Sequence, residues 1–200
     1  MDAEATVFII DDDPAVLRSL AALVRVAHPR VETFATAEEF LAQCDPQRPG
    51  CLLLDVVLPG LDGLQLHERL RAAGAEWPVI FITGYGTVPA AVDAMRNGAM
   101  DFLEKPLRDE ALWQAIRRAL ERDEAARRER ACRAMVAARL AKLSEGENQV
   151  LDLMLTGKTN REIAKEARVS VRTVEDRRAR VMRKMEAGSL VELVQLVALR

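Results

Sequence analysis

The sequence has few cysteines and histidines and no long hydrophobic run. Cys44, Cys51 and Cys132 are odd in number and lack metal-ligand spacing, and the two histidines form no motif. We therefore expect ordinary reduced thiols rather than disulfides or a cysteine metal site. No apolar run reaches the length of a membrane span, and residues 1–4 are acidic where a signal peptide would be basic. These absences predict a cytoplasmic protein with no membrane partner.

Charge is unevenly distributed along the chain, although the net charge is only −2. Residues 1–124 hold 12 basic and 21 acidic side chains, residues 125–143 hold six and one, and residues 144–200 hold 11 and nine. Half of the 200 residues are apolar, which is enough for one large or two small packed domains. An acidic N-terminal part followed by a basic remainder predicts two units with different partners. We place the predicted boundaries after residues 124 and 143.

Five short apolar runs in the first 124 residues have the composition of buried parallel strands. Helical patterns separate them, including one with apolar positions within residues 88–95 and one that begins at Asp109. This alternation predicts an α/β fold with a doubly wound, five-stranded parallel sheet whose strand C-termini share one edge. The predicted strands are residues 6–10, 31–34, 51–55, 77–83 and 101–106.

The carboxyl edge of this predicted sheet collects five polar side chains. Asp11 and Asp12 follow the first strand, Asp55 ends the third, Thr83 the fourth and Lys105 the fifth. A single strand-end aspartate usually ties its own loop by hydrogen bonds, but three carboxylates together repel unless a divalent cation lies among them. Oxygen-only ligands suit Mg²⁺, which also binds phosphate oxygens. The set predicts a metal-assisted site in which a carboxylate accepts a phosphoryl group and the lysine and threonine bind its oxygens.

These residues, with Pro106 after the lysine, resemble a response-regulator receiver domain of the flavodoxin/CheY-like fold over about the first 120 residues. The resemblance implies that a sensor histidine kinase phosphorylates Asp55. It implies that the Val57 carbonyl joins Asp11, Asp12 and Asp55 in binding Mg²⁺. By the same resemblance, Thr83 and Lys105 bind the phosphoryl oxygens and Phe102 is an aromatic switch residue that moves inward with the threonine.

The stretch from residue 121 to residue 143 contains no glycine or proline and is rich in alanine and arginine. This composition predicts that the last receiver helix continues into a helical linker over residues 125–143. The arginines have two interpretations. They form either a patch that steers DNA or a solvated helix face.

The last 57 residues contain no strand pattern and divide into four predicted helices. Ser144 with Glu147 forms a capping-box pattern before the first of them. The third, residues 171–185, carries a narrow apolar stripe, and residues 168–184 hold seven basic and two acidic side chains. A short helix, a tight turn and a basic helix predict a helix-turn-helix whose second helix enters the DNA major groove. The expected architecture is a second, all-α four-helix domain.

Residues 143–144, 159–164 and 169–175 resemble a LuxR-type DNA-binding domain, and the whole chain resembles the NarL/FixJ family of two-component response regulators. The resemblance implies that phosphorylation controls homodimerisation and sequence-specific binding to double-stranded promoter DNA, and hence transcription. The last helix, by resemblance, contributes to dimerisation on DNA. One departure is Arg177, which occupies a place where members commonly have histidine.

The predicted DNA contacts lie on and before the recognition helix. Arg172, Glu175 and Asp176 share one helix face and are expected to meet base edges. Arg177, Arg178 and Arg180 flank this face and are expected to bind phosphates. The alternative is that the two acids pair with Arg172 or Arg180 along the helix and touch no base. The full set of predicted DNA-binding residues is Lys158, Arg161, Arg172, Thr173, Glu175, Asp176, Arg177, Arg178, Arg180 and Lys184.

Two rival functions have specific arguments against them. A phosphohydrolase with Asp55 as nucleophile needs a second acid two residues later as general acid and base, but Val57 stands there. A protein-interaction adaptor without DNA binding does not need the basic recognition helix. We therefore expect a regulator and not an enzyme.

Overall fold

The chain divides into two compact units, Met1–Ala126 and Arg127–Arg200. A computed structural model describes residues 5–84 and 98–198. The helix predicted around residues 88–95 lies outside the described residues. The predicted linker boundaries, after residues 124 and 143, stay predictions.

The first unit contains a five-stranded sheet with the spatial order β2-β1-β3-β4-β5, in which every pairing is parallel. Every residue of β1, β3 and β4 is buried, as expected for strands covered on both faces. The α/β fold predicted for this part of the chain is thus confirmed. The strands are β1 Thr6–Ile10, β2 Val31–Phe34, β3 Gly50–Asp55, β4 Val79–Thr83 and β5 Asp101–Glu104.

Side-chain caps fix where the helices of this unit begin. Asp13 accepts a hydrogen bond from the Ala15 N–H, and Asp62 forms a reciprocal capping box with Gln65. Thr36 and Glu39 have the sequence pattern of a capping box, but only half of it forms, because the Glu39 carboxylate accepts from the Ala35 N–H one residue earlier. The described helices are α1 Pro14–Arg25, α2 Ala37–Gln43, α3 Gly63–Ala72 and α4 Asp109–Leu140.

The two faces of the sheet carry different cores. On one face, Phe8, Phe40 and Trp77 pack together with ring centroids 5.3 to 5.7 Å apart, and α2 and α3 cover them. On the other face, α1 and α4 bury aliphatic side chains such as Leu112 and Ile116 against β1, β3 and β4. Each fully buried large side chain contributes roughly 1.5–3 kcal/mol. The carboxyl edge of the sheet is therefore held between two packed layers.

At the opposite, amino edge of the sheet, a buried carboxylate accepts a hydrogen bond from the backbone. Asp123 of α4 accepts a hydrogen bond of 2.9 Å from the Gly50 N–H at the start of β3. A Cβ atom at Gly50 would lie 2.1 Å from the Thr6 carbonyl oxygen, so only glycine allows this close approach of β3 to β1. This bond joins α4 to the sheet at the end remote from Asp55.

The second unit is helical over its described residues. The last turns of α4 contribute Val136 and Leu140 to its core, which also contains Val174, Val181 and Met185 of the helix over residues 171–185. Reciprocal capping boxes begin its first two helices, at Ser144 and Thr159. Its own helices are α5 Glu145–Leu155, α6 Asn160–Glu166, α7 Val171–Met185 and α8 Leu190–Ala198.

Candidate functional sites

The order of the strands in the sheet brings three predicted site residues to one place. Asp11 follows β1 and Asp55 ends β3, and these strands are neighbours in the sheet. Lys105 follows β5, next to the end of β4, where its N–H donates to the Thr83 carbonyl. All of these positions lie at the carboxyl edge, where ligands bind in open α/β sheets.

Three carboxylates form a cluster at this edge. One oxygen from each of Asp11, Asp12 and Asp55 lies within 4.8 Å of the others. Asp11 and Asp55 are only 2% and 8% exposed, whereas Asp12 is exposed. An all-oxygen set of three carboxylates, open on one side, matches the ligand chemistry of a hard divalent cation.

Lys105 lies between the two buried carboxylates. Its Nζ donates to Asp11 Oδ2 at 2.6 Å and to Asp55 Oδ2 at 2.7 Å. Burial alone would lower the pKa of Lys105, but the hydrogen bonds to Asp11 and Asp55 outweigh it and raise that pKa. Burial is also the main reason that the pKa of Asp11 is raised, although the hydrogen bond from Lys105 opposes the effect. The single ammonium of Lys105 is therefore shared by two carboxylates, and the site retains excess negative charge.

The second oxygen of each buried aspartate organises its own loop. Asp55 Oδ1 accepts from the Val57 N–H at 3.0 Å, and Asp11 Oδ1 accepts from the Asp13 N–H at 2.9 Å. These are the local loop-tying bonds that a lone strand-end aspartate makes. The aspartates thus tie their loops with one oxygen and present the other to the shared site. The Val57 side chain is 62% exposed beside them.

Thr83 and Phe102 occupy the neighbouring strands β4 and β5. Thr83 is buried at the C-terminal end of β4, in register with Glu104. Phe102 is half-buried, and its ring centroid lies 6.5 Å from that of Phe81. Thr83 therefore lies across the sheet from the residue before Lys105, and Phe102 lies three residues before Lys105 along the chain.

The second unit contains a helix-turn-helix formed by α6, a short turn and α7. Thr159 and Ser170 cap the two helices, and Arg168 in the turn has a positive φ of 54°. The predicted DNA-contact side chains of α7 differ in exposure. The exposed side chains are Arg172, Glu175, Asp176 and Arg180, and the half-buried ones are Thr173, Arg177 and Arg178.

Three predicted DNA residues make contacts inside the unit. Lys184 Nζ donates to the buried Glu147 carboxylate at 2.6 Å and to the Lys142 carbonyl at 2.9 Å. Lys158 pairs with Glu166, and the Thr173 hydroxyl bonds that of Ser170. A DNA contact by any of these side chains would compete with these bonds.

Glu175 and Asp176 are exposed, and within residues 98–198 neither forms an ion pair with Arg172 or Arg180. This favours the first of the two interpretations, in which a carboxylate is available to a base edge.

Arg177 has a different environment from Arg178. A Cβ atom at Gly146, in the first turn of α5, would lie 2.7 Å from the Arg177 Cζ. The arginine also lines an open cleft of about 490 Å³ with Glu145 and Gln149 of α5 and Val169 of the turn. Its guanidinium therefore packs over the start of α5, in space that the glycine leaves open.

Comparison with known proteins supports two domain types in one chain. Residues 7–117 match the response regulator receiver domain, and residues 141–197 match the bacterial regulatory proteins of the luxR family. The chain belongs to the NarL/FixJ-type family of two-component response regulators, which are transcription factors and not enzymes. This confirms the predicted family and excludes the phosphohydrolase hypothesis.

Particular relatives match over nearly the whole chain. Transcriptional regulatory protein FixJ of Bradyrhizobium diazoefficiens is 42% identical over 196 residues, 98% of this chain and 96% of FixJ. Tetrathionate response regulatory protein TtrR of Salmonella typhimurium is 41% identical over 191 residues, 96% of this chain and 91% of TtrR. The structure of response regulator StyR, 39% identical, matches with a TM-score of 0.91 and covers 98% of this chain and 99% of StyR.

The chain is thus a response regulator with a receiver and a LuxR-type DNA-binding domain, and it regulates transcription. The receiver implies a sensor kinase partner, and the second domain implies a DNA partner. The acidic cluster corresponds to the pocket where receivers bind their metal. Within the described ranges, every helix is too short or too polar to cross a membrane.

Proposed function

We propose that phosphorylation of Asp55 by a sensor histidine kinase is the signal that controls this regulator. The observation that carries the proposal is the position of the Lys105 ammonium between Asp55 and Asp11, within the three-carboxylate cluster. An aspartate that faces a fixed cation and an oxygen-rich pocket has the neighbours that a phosphoryl acceptor requires.

In the proposed reaction, an Asp55 oxygen attacks the phosphorus of a phosphohistidine. The P–O bond forms, the P–N bond breaks, and the histidine nitrogen leaves and takes up a proton. Lys105 and the Thr83 hydroxyl stabilise the charge on the phosphoryl oxygens. The carboxylates of Asp11, Asp12 and Asp55 and the carbonyl of Val57 would hold Mg²⁺, which would further neutralise that charge.

We propose that the phosphorylated receiver draws Thr83 and Phe102 inward and that this favours a homodimer. A two-state element biased by a local charge is all that such a switch requires. The exposed apolar side chains of α8, Leu190, Val191 and Val194, support a contribution of this helix to the dimer on DNA. A DNA partner also supports a cytoplasmic location.

On DNA, we propose that α7 enters the major groove. Arg172, Glu175 and Asp176 contact base edges, while Arg178 and Arg180 bind phosphates. Lys158, Arg161, Thr173, Arg177 and Lys184 are further candidate contacts. We propose residues 1–124 as the receiver, 125–143 as a helical linker and 144–200 as the DNA-binding domain.

Replacement of Asp55 by asparagine tests the proposal. With a small phosphodonor and Mg²⁺, the wild-type chain should acquire one phosphoryl group, seen by intact mass or phosphate-affinity gel. Asp55→Asn should acquire none, and Asp12→Ala should need more Mg²⁺ for the same phosphorylation, because the loss of a metal ligand weakens Mg²⁺ binding. Retained Mg²⁺-dependent phosphorylation of Asp55→Asn would contradict the assignment.

Sedimentation and gel-shift assays test whether phosphorylation changes the oligomeric state and the DNA affinity. The phosphodonor should shift the wild-type chain toward a dimer and tighten its retention of promoter DNA, and neither change should occur in Asp55→Asn. An oligomeric state and DNA affinity that ignore the phosphodonor would refute phosphorylation control.

A further inference from the structure

The loop between β3 and α3, residues 56–62, carries the Val57 carbonyl. We call it the β3–α3 loop. Backbone hydrogen bonds hold its ends: the Val56 N–H donates to the Ile82 carbonyl at 3.3 Å, and the Gly63 N–H donates to the Val56 carbonyl at 3.0 Å. These bonds fix the loop where it meets the sheet and the helix, but they do not reach its middle.

The C-terminal part of the β3–α3 loop is tied to α2. The Leu61 N–H donates to Glu38 Oε1 at 3.2 Å, across 23 residues of sequence. Gly60 adopts a positive φ of 77°, and a Cβ atom there would lie 3.0 Å from the same oxygen. The Glu38 carboxylate therefore lies directly against the turn of the loop.

Apolar packing complements this bond. Leu58 and Leu61 are buried in the aromatic core, whereas Val57 is largely exposed. The buried side chains of Leu58 and Leu61 and the carboxylate of Glu38 anchor the loop. Val57, whose carbonyl must face the metal, lies between these anchors and Asp55. A backbone ligand has no rotamers of its own, so its position is set entirely by how the loop is held.

We propose that Glu38 is a positioning residue for the metal site of the receiver. Its bond to the Leu61 N–H sets the conformation of the β3–α3 loop and, through it, the position of the Val57 carbonyl. The inference rests on the proposed Mg²⁺ site. Glu38 touches neither the metal nor the phosphoryl group, and it acts through a hydrogen bond and not through its charge.

Calorimetric titration of the full-length chain with MgCl₂ tests this role. Glu38→Ala removes the acceptor and should lower Mg²⁺ affinity roughly two- to tenfold, the range expected for one lost hydrogen bond that supports a ligand. Glu38→Gln keeps a carbonyl acceptor without the charge and should stay within about twofold of wild type. Amide exchange at Leu61 should quicken in Glu38→Ala and not in Glu38→Gln.

Glu39 offers a matched control on the same turn of α2. Its carboxylate bonds the Ala35 N–H and Gln43, and not the β3–α3 loop. Glu39→Ala removes an equal charge from the same helix turn and should leave Mg²⁺ affinity at the wild-type value. A loss in Glu39→Ala equal to that in Glu38→Ala would overturn the proposal in favour of general damage to α2.

The remaining outcomes are also decisive. Wild-type affinity in Glu38→Ala would overturn the proposal, and so would equal losses in Glu38→Ala and Glu38→Gln, which would mean that charge alone matters. Asp12→Ala separates this failure from failure of the proposed site. If Asp12→Ala loses Mg²⁺ and Glu38→Ala does not, only the positioning role is wrong. If Asp12→Ala binds Mg²⁺ normally, the metal site itself is wrong.

Discussion

The two units of this chain bury charge in opposite ways. In the receiver, Asp11 and Asp55 share the single ammonium of Lys105, so negative charge is left over. In the DNA-binding unit, the buried Glu147 has Lys184 as its own partner and also accepts from the Ser144 N–H. A buried site with excess negative charge is stabilised by binding a cation, whereas a buried carboxylate that has its own cationic partner needs no further ligand. The first arrangement suits a switch and the second suits a scaffold.

The comparison predicts the largest stability effect at Lys184. Lys184→Met should destabilise the DNA-binding unit by about 1–3 kcal/mol, because the buried Glu147 carboxylate loses a partner and the Lys142 carbonyl loses a donor. Mg²⁺ should not restore the loss. Amide exchange in α5 and α7 measures it, with Lys165→Met, an exposed lysine of α6, as the control. Equal exchange in both variants would show that the pair contributes no stability.

The same ion pair predicts a pH dependence. The hydrogen bond from Lys184 is the main reason that the pKa of Glu147 lies below its ordinary value of 4.5. A carboxylate with a lowered folded-state pKa contributes stability above its unfolded pKa, and that stability is lost as pH falls through the lowered value. The stability gap between wild type and Lys184→Met should therefore be constant well above pH 4.5 and close as pH falls through the lowered pKa of Glu147. A gap that widened in acid would contradict the ion-pair explanation.

Lys105→Met should give the opposite response to Mg²⁺. Without the metal, two buried carboxylates lose their shared cation, and the receiver should be destabilised by about 1–2 kcal/mol. Millimolar Mg²⁺ should restore most of that loss, because a bound cation stabilises the state that binds it. Both tryptophans lie in the receiver, so their fluorescence during denaturation reports this unit. A Lys105→Met receiver that ignores Mg²⁺ would remove the contrast between the units.

The receiver strands, the polar residues at their ends and several helix caps can be predicted from the sequence. The strands of the receiver and the polar residues at their ends are predictable because each is encoded in a few consecutive residues, and parallel strands necessarily bring their C-termini to one edge. The caps at Asp13, Ser144 and Thr159 follow from equally local patterns.

The long-range pairings did not follow from sequence. Lys184 lies in a basic segment, and this pattern predicts a DNA contact; its pairing with Glu147, 37 residues away, depends on how α5 and α7 pack. The bonds of Glu38 to Leu61 and of Asp123 to Gly50 span 23 and 73 residues. Each acid had many possible donors, and only the tertiary fold selects one.

A smaller effect is expected at His67, which is buried against Phe81 with ring centroids 5.7 Å apart. Burial, and then the nearby charge of Arg71, lower the pKa of His67. The unfolded chain therefore takes up a proton near pH 6.5 that the folded receiver resists, so stability falls as pH drops below that value. His67→Leu should flatten this dependence between pH 7 and pH 5, measured by tryptophan fluorescence. His28→Gln serves as the control, and an equal flattening there would exclude His67 as the cause.

The smallest effect distinguishes two adjacent arginines of the recognition helix. Arg178→Ala should weaken DNA binding about equally on all sequences and lower the slope of log affinity against log salt by roughly one unit, as expected for a lost phosphate contact. Arg177→Ala should weaken binding without changing that slope, because the guanidinium packs on α5 at Gly146. Gly146→Ala would push the guanidinium off α5, and it should shift DNA affinity in the wild-type background but not when Arg177 is already alanine. A full unit of slope lost in Arg177→Ala would instead show that this arginine leaves Gly146 and binds phosphate.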